Sequence, residues 1–174
     1  MKSPKKWYWI ALLAGVLALG AAATRVKGDS NRSELRKFQA DGTAALDPSG
    51  ISATGTIKGS EIGTATITDN GYSGTVLGNT GTGTCALGGG NITITAADGS
   101  TLKLVRSGVD CDIAGPGLNG GNIGNHTYII TGGTGRFAGV IGGGNYTFSI
   151  NNSLVLIHID GNIQIAGGGG GEEH

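Results

Sequence analysis

Proline, charge and aromatic side chains are all scarce in this chain. Only 3 of its 174 residues are proline, charged residues make up 14% and aromatic residues 5%. The few prolines exclude a collagen-like or proline-rich chain, although glycine is abundant at 36 residues. The low charge argues against intrinsic disorder, because a disordered chain usually depends on high net charge to stay open.

The sequence also lacks the signatures of common cofactor and metal sites. The glycines of Thr131–Gly139 have the wrong spacing for a dinucleotide-binding turn, and no helical pattern follows them. No Gly-Lys-Ser/Thr is present, which excludes a P-loop, and Gly88–Gly90 lacks the aspartate of calcium-binding β-roll repeats. We therefore expect no cofactor, no metal ion and no recognisable catalytic set.

Basic residues are unevenly placed. Eight of the 12 Lys and Arg residues precede Phe38, and only Lys58, Lys103, Arg106 and Arg136 follow it. The remainder of the chain is therefore acidic. Such a surface disfavours nucleic acid as a partner, because binding to phosphates requires Lys and Arg.

The N-terminus has the pattern of an export signal. Three lysines in Met1–Lys6 precede an apolar run, Trp7–Ala23, that ends in three alanines. These features predict a signal peptide over residues 1–23, cleaved after Ala23, and a secreted, periplasmic or cell-surface protein. The alternative is that this segment is not cleaved and anchors the chain in a membrane. We expect membrane contact only through this segment. Residues 24–37 are predicted to be a polar linker.

Period-two alternation dominates the rest of the chain and predicts β-strands that are wet on one face and buried on the other. Tyr146, Phe148 and Ile150 alternate with polar residues, and Val155, Ile157, Ile159, Ile163 and Ile165 share one face. His126, Tyr128 and Ile130 form one set on their strand, while Val109, Cys111 and Ile113 alternate with Asp110 and Asp112. The apolar set of each strand is expected to line the interior.

Turn signals separate these runs at the spacing of a sandwich or barrel. Asp98-Gly99, Asp69-Asn70-Gly71 and Asn151-Asn152 are predicted hairpin turns. The predicted fold is all-β: a single closed antiparallel barrel of about eight strands over residues 38–166, after the signal or anchor helix. The glycine-rich residues 167–174 are predicted to be a flexible tail.

The chain has two cysteines, Cys85 and Cys111. An even number in an exported chain favours a disulfide, with two free buried thiols as the alternative.

The stretch from Ile130 to Phe148 resembles the signature of the allene oxide cyclase and dirigent barrels. It contains Gly132, Gly133, Gly135, Phe137 and Gly139 between two strands. It is also similar to secreted bacterial barrel proteins of unknown function, and the resemblance covers roughly Gly55 to Ile165. It implies an eight-stranded antiparallel barrel able to hold an apolar small molecule, in which Phe137 plugs one end and the glycines carry a tight turn.

The resemblance does not bring the family's chemistry with it. The cyclases use an acidic residue inside the barrel, and among the glutamates the body offers only Glu61 before the tail. Asp110, Asp112 and Asp160 do not match the dirigent aspartates by motif. His126 and His158, with Asp160 beside the latter, are interpreted as surface or pore-mouth residues, with a metal or acid–base pair as the alternative.

Three functions remain open. The leading hypothesis is a non-enzymatic exported barrel that binds a ligand or serves as a surface or envelope module. The second is a cyclase- or isomerase-like enzyme acting on an apolar molecule, which requires an acidic or His side chain facing a cavity. The third is a self-assembling extracellular structural protein. The oligomeric state does not follow from the sequence.

Overall fold

The computed structural model describes residues 34–79, 83–115 and 118–165. They form eight strands: β1 (Glu34–Leu46), β2 (Ser52–Gly59), β3 (Gly63–Asn79), β4 (Thr84–Ala96), β5 (Thr101–Gly115), β6 (Leu118–Gly133), β7 (Ile141–Asn151) and β8 (Leu154–Ile165). One 3₁₀ turn, Gly135–Phe137, lies between β6 and β7. The predicted signal or anchor and the tail fall outside the described residues.

Every strand pairs antiparallel with its neighbours in sequence, and β8 pairs with β1 to close the barrel. The closing ladder runs from Glu34 opposite Ile165 to Ala45 opposite Leu154. Closure satisfies the hydrogen-bonding groups of strands that would otherwise lie at the sheet edges. The predicted all-β closed antiparallel barrel is therefore confirmed.

The two halves of the barrel interior differ in chemistry. Large apolar side chains fill the half that contains the β6–β7 turn, and each of the following is at most 1% exposed: Phe38, Ile57, Ile62, Ile94, Leu102, Phe137 and Ile163. We call this the closed half. Removal of these side chains from water is the main favourable term for folding, at roughly 25 cal/mol per Å² of apolar area.

The other half, reached from the β1–β2 and β7–β8 turns, is the open half. Its inner wall carries glycines where the closed half carries isoleucine and leucine, notably Gly88, Gly108 and Gly124. A methyl group at position 88 would overlap the carboxylate of Asp110, and one at position 124 would overlap the ring of Phe148. Gly88 and Gly124 thus provide the space that the side chains of Asp110 and Phe148 occupy.

Two local predictions are wrong. Asp69-Asn70-Gly71 is not a turn, because all three residues lie within β3, where Asn70 pairs with Ser52 and with Asn91. The turn residues Asp98-Gly99 and Asn152 do lie between strands, with Gly99 and Asn152 at positive φ. The predicted linker also ends too late, since β1 begins at Glu34 and its first residues already pair with β8.

Candidate functional site

A buried ion pair lies inside the open half. Arg106 on β5 donates from Nε to Asp69 Oδ1 and Oδ2 on β3, at 3.2 and 2.9 Å. Both side chains are nearly buried, at 7% and 8% exposure. Tyr146 on β7 donates its hydroxyl to Asp69 Oδ2 at 2.9 Å. Burial and the Asp69 carboxylate raise the pKa of Tyr146, so this hydroxyl remains a donor across the physiological range.

His126 on β6 joins the same group of side chains. Its Nδ1 lies 2.9 Å from Arg106 Nη1 and its Nε2 lies 2.7 Å from Asp110 Oδ1. A guanidinium only donates, so Nδ1 must accept and the ring proton must reside on Nε2, which donates to Asp110. Arg106 therefore holds His126 as a neutral imidazole whose only lone pair is already used.

Two aromatic rings complete the packing around Arg106. Its guanidinium carbon lies 5.3 Å from the ring centre of Tyr146 and 5.2 Å from that of Phe148. Contacts of this kind attract a cation to the ring face. The polar group, defined here as Asp69, Arg106, Asp110, His126 and Tyr146, thus comes from four different strands and is held by mutual hydrogen bonds.

A cavity of about 160 Å³ lies directly against this polar group. Asp69, Arg106 and Asp110 line its polar side. Its apolar side is formed by residues of β1, β2, β7, β8 and the β1–β2 turn: Leu46, Ile51, Ala53, Phe148, Ile150 and Val155. Asn122 also lines the cavity, and its buried Oδ1 has no hydrogen-bond partner among the described residues.

The turn between β1 and β2, which supplies Gly50 and Ile51 to the cavity lining, is organised by Asp47. The Asp47 carboxylate accepts hydrogen bonds from the Ser49 hydroxyl and from the backbone N–H groups of Ile51 and Ser52. These bonds lower the pKa of Asp47. An ionised Asp47 therefore fixes one rim of the cavity.

The residues of the predicted glycine–phenylalanine motif lie at the closed end, away from the cavity. Phe137 is 1% exposed and its 3₁₀ turn seals the interior there. Gly135 and Gly139 have φ of 59° and 73°, a left-handed conformation that favours glycine. Gly132 and Gly133 end β6, and a methyl group on Gly133 would overlap the backbone of Phe137.

Cys85 and Cys111 lie directly opposite each other on β4 and β5, and their sulfurs are 2.08 Å apart. This pairing confirms the predicted disulfide. The side chain of Asp110, the residue before Cys111, points inward to His126. The prediction that Cys111 faces the interior and Asp110 the solvent is therefore wrong. A disulfide is typical of proteins that fold in an oxidising compartment.

The structure does not bring His126 and His158 together. His126 is buried inside the barrel, which contradicts its interpretation as a surface or pore-mouth residue, whereas His158 is on the outer face and bonds Asp41 at 2.6 Å. Asp160 lies 3.8 Å from the ammonium of Lys37, and Glu61 pairs with Arg36. None of these outer residues reaches the cavity lining.

Sequence reasoning missed Asp69, Arg106 and Tyr146 as site residues. The available signal was their position in the alternation: Asp69 continues the inward set of Ala65 and Ile67, and Arg106 continues that of Leu102 and Leu104. A charged residue in an inward position, opposite in sign to one on a nearby strand, indicates a buried ion pair.

Comparison with protein-family models, curated proteins and solved structures finds no match. In residues 34–79, 83–115 and 118–165, no cluster of three or more His, Cys, Asp or Glu side chains has the arrangement of a metal site. The same residues contain no helix with the length and hydropathy needed to span a bilayer.

Proposed function

We propose that this protein is an exported barrel that binds one small molecule in the cavity of its open half. The observation that carries the proposal is the lining of that cavity, with an apolar wall on one side and the polar group on the other. Ligand sites commonly combine apolar walls with a few fixed polar groups that orient the ligand. In the closed half, by contrast, Phe137 and other buried apolar side chains of the described residues fill the interior.

The size of the cavity limits the ligand. A cavity of roughly 150 Å³ accommodates one benzene-sized molecule. At about 160 Å³, the cavity here accepts a body of one six-membered ring or a short branched chain. A larger ligand would extend past the rim formed by the β1–β2 turn.

Export is supported by the N-terminal lysines and apolar run and by the cysteine pair. The resemblance of the Gly132–Gly139 motif to the cyclase and dirigent barrels is consistent with a barrel that holds a small molecule.

Filling the cavity tests the proposal. Ala53 faces the cavity on β2 and Ala45 is exposed on the paired strand β1, so Ala53→Leu and Ala45→Leu are a matched pair. A panel of ring-sized compounds should raise the melting temperature of the wild type and of Ala45→Leu but not that of Ala53→Leu. No shift with any compound in the wild type would refute a binding cavity, as would equal shifts in both variants.

One observation favours an isomerase-like enzyme as a second candidate. Asp110 faces the cavity and accepts a hydrogen bond from a neutral His126, which positions the carboxylate as a base. Asp110 would take a proton from a carbon of the bound molecule and return it to another carbon, with no oxidant or reductant. Proton exchange between a bound carbonyl compound and deuterated water, abolished in Asp110→Asn, would support this candidate over simple binding.

A further inference from the structure

Basic residues are unevenly divided between the two halves of the barrel. The Lys and Arg residues of the described part, other than Arg106, all lie in the closed half: Arg36, Lys37, Lys58, Lys103 and Arg136. The open half holds four carboxylates, those of Asp47, Asp69, Asp110 and Asp112. Arg106 is the only Lys or Arg among the described residues that accompanies them, and it is committed to Asp69.

The neutral state of His126 leaves the charge of Asp110 uncompensated. Arg106 already pairs with Asp69, and His126 contributes an N–H donor but no positive charge. Asp110 is 17% exposed, and its hydrogen bond with His126 is made through Oδ1. A carboxylate so placed attracts a cation more strongly than it would in bulk water, because the apolar wall opposite it lowers the local dielectric.

We propose that the cavity selects a small organic cation: a primary or secondary ammonium attached to an apolar body of about one six-membered ring. This inference rests on the binding function proposed above and specifies its ligand. The ammonium would donate to the Asp110 carboxylate, and the apolar body would pack against Phe148, Ile150 and Val155. An anionic ligand would meet the carboxylates of Asp110 and Asp69 with only the shared Arg106 to oppose them.

The test compares three probes that differ only in their head group: cyclohexylammonium, cyclohexanol and cyclohexanecarboxylate. Calorimetry on the full chain at neutral pH should show cyclohexylammonium binding at least about tenfold more tightly than cyclohexanol, since a hydrogen bond to a charged group is worth more than a neutral one. Binding of the carboxylate should be the weakest. The affinity of cyclohexylammonium should decrease as salt is added.

Two variants connect this preference to Asp110. Asp110→Asn removes the charge while keeping an oxygen for His126, and should reduce cyclohexylammonium binding to the level of cyclohexanol. Asp98→Asn is the matched control, because Asp98 lies in the β4–β5 turn of the closed half, paired with Arg136. The wild-type probe comparison does not depend on whether either variant folds.

The outcomes separate the two proposals. Equal binding of cyclohexanol and cyclohexylammonium, or tightest binding of the carboxylate, would overturn the cation selectivity and leave the binding function intact. Failure of all three probes, and of every ring compound in the melting panel, would overturn both. An unchanged affinity in folded Asp110→Asn would also overturn the assignment to Asp110.

Discussion

Arg106 Nε bonds both carboxylate oxygens of Asp69 inside the barrel, at 3.2 and 2.9 Å, although the two residues are 37 positions apart in sequence. Both side chains are almost entirely removed from bulk water, so each charge depends on the other for compensation. Tyr146 and His126 then satisfy further atoms of the same pair. The pair thereby places the polar group against the cavity.

Removal of one member of this pair should be strongly destabilising. Asp69→Asn leaves the Arg106 guanidinium buried without a counter-ion, and we expect the free energy of unfolding to fall by about 3–5 kcal/mol. Urea denaturation measures the change. The control is Glu34→Gln, which breaks the exposed Arg36–Glu34 pair and should change the free energy of unfolding far less. Similar losses in the two variants would mean that the buried pair has no special role.

Stability should decline at alkaline pH through Tyr128. Burial and the nearby Asp160 raise the pKa of Tyr128 to about 12, from 10.0. The pKa of Tyr128 is higher in the folded protein than in the unfolded chain. The stability that its protonated hydroxyl contributes is therefore complete below pH 10 and is lost as the pH rises from 10 to 12. The loss is about 1.4 kcal/mol for each pH unit.

Tyr128→Phe should remove that part of the alkaline decline. The Tyr128 hydroxyl has no hydrogen-bond partner among the described residues, so its loss should leave stability at pH 7 nearly unchanged. Tyr146→Phe is the comparison, because it removes a bond to Asp69 and should destabilise at pH 7 as well. Urea denaturation at several pH values distinguishes the two, and an unaltered alkaline slope in Tyr128→Phe would contradict the assignment.

The disulfide should contribute measurably to stability. Cys85 and Cys111 are 26 residues apart, and a cross-link closing a loop of that length is worth roughly 3.5 kcal/mol. The double variant Cys85→Ser/Cys111→Ser should therefore unfold at lower urea concentration than the oxidised wild type. Adding reductant should destabilise the wild type and leave the double variant unaffected. Two reactive thiols in unfolded, unreduced wild type would contradict the cross-link.

Truncation of Phe137 should weaken the closed half without altering the cavity. Phe137→Ala removes a side chain that is 1% exposed, and the expected loss is about 3–5 kcal/mol in the free energy of unfolding. Phe148→Ala is the informative counterpart, because Phe148 lines the cavity and its loss should enlarge the space for ligand. Binding of ring-sized probes should change in Phe148→Ala and persist in folded Phe137→Ala. Probe binding that changes in Phe137→Ala but not in Phe148→Ala would contradict a binding cavity in the open half.

Much of the fold followed from local patterns. Alternation along β6, β7 and β8 correctly predicted that Tyr128, Tyr146 and Ile157 face inward. On β5 the same reasoning placed Val109 and Cys111 inside, because it assumed that the apolar set is always the inner one. The strand has the opposite orientation at this end, since Leu102 and Leu104 fix its parity and Asp110 gains a partner in His126.

The sequence by itself determined the class of fold and the cross-link, because period-two alternation, turn residues and cysteine number are properties of short segments. Only the tertiary structure decided where the polar residues go. An aspartate in this sequence can lie in a turn, as was expected for Asp69, or inside the barrel. Which of these holds for Asp69 depends on whether another strand brings a positive charge beside it. That pairing was set by ladder register and barrel closure, which join Asp69, Arg106 and Tyr146 across three strands.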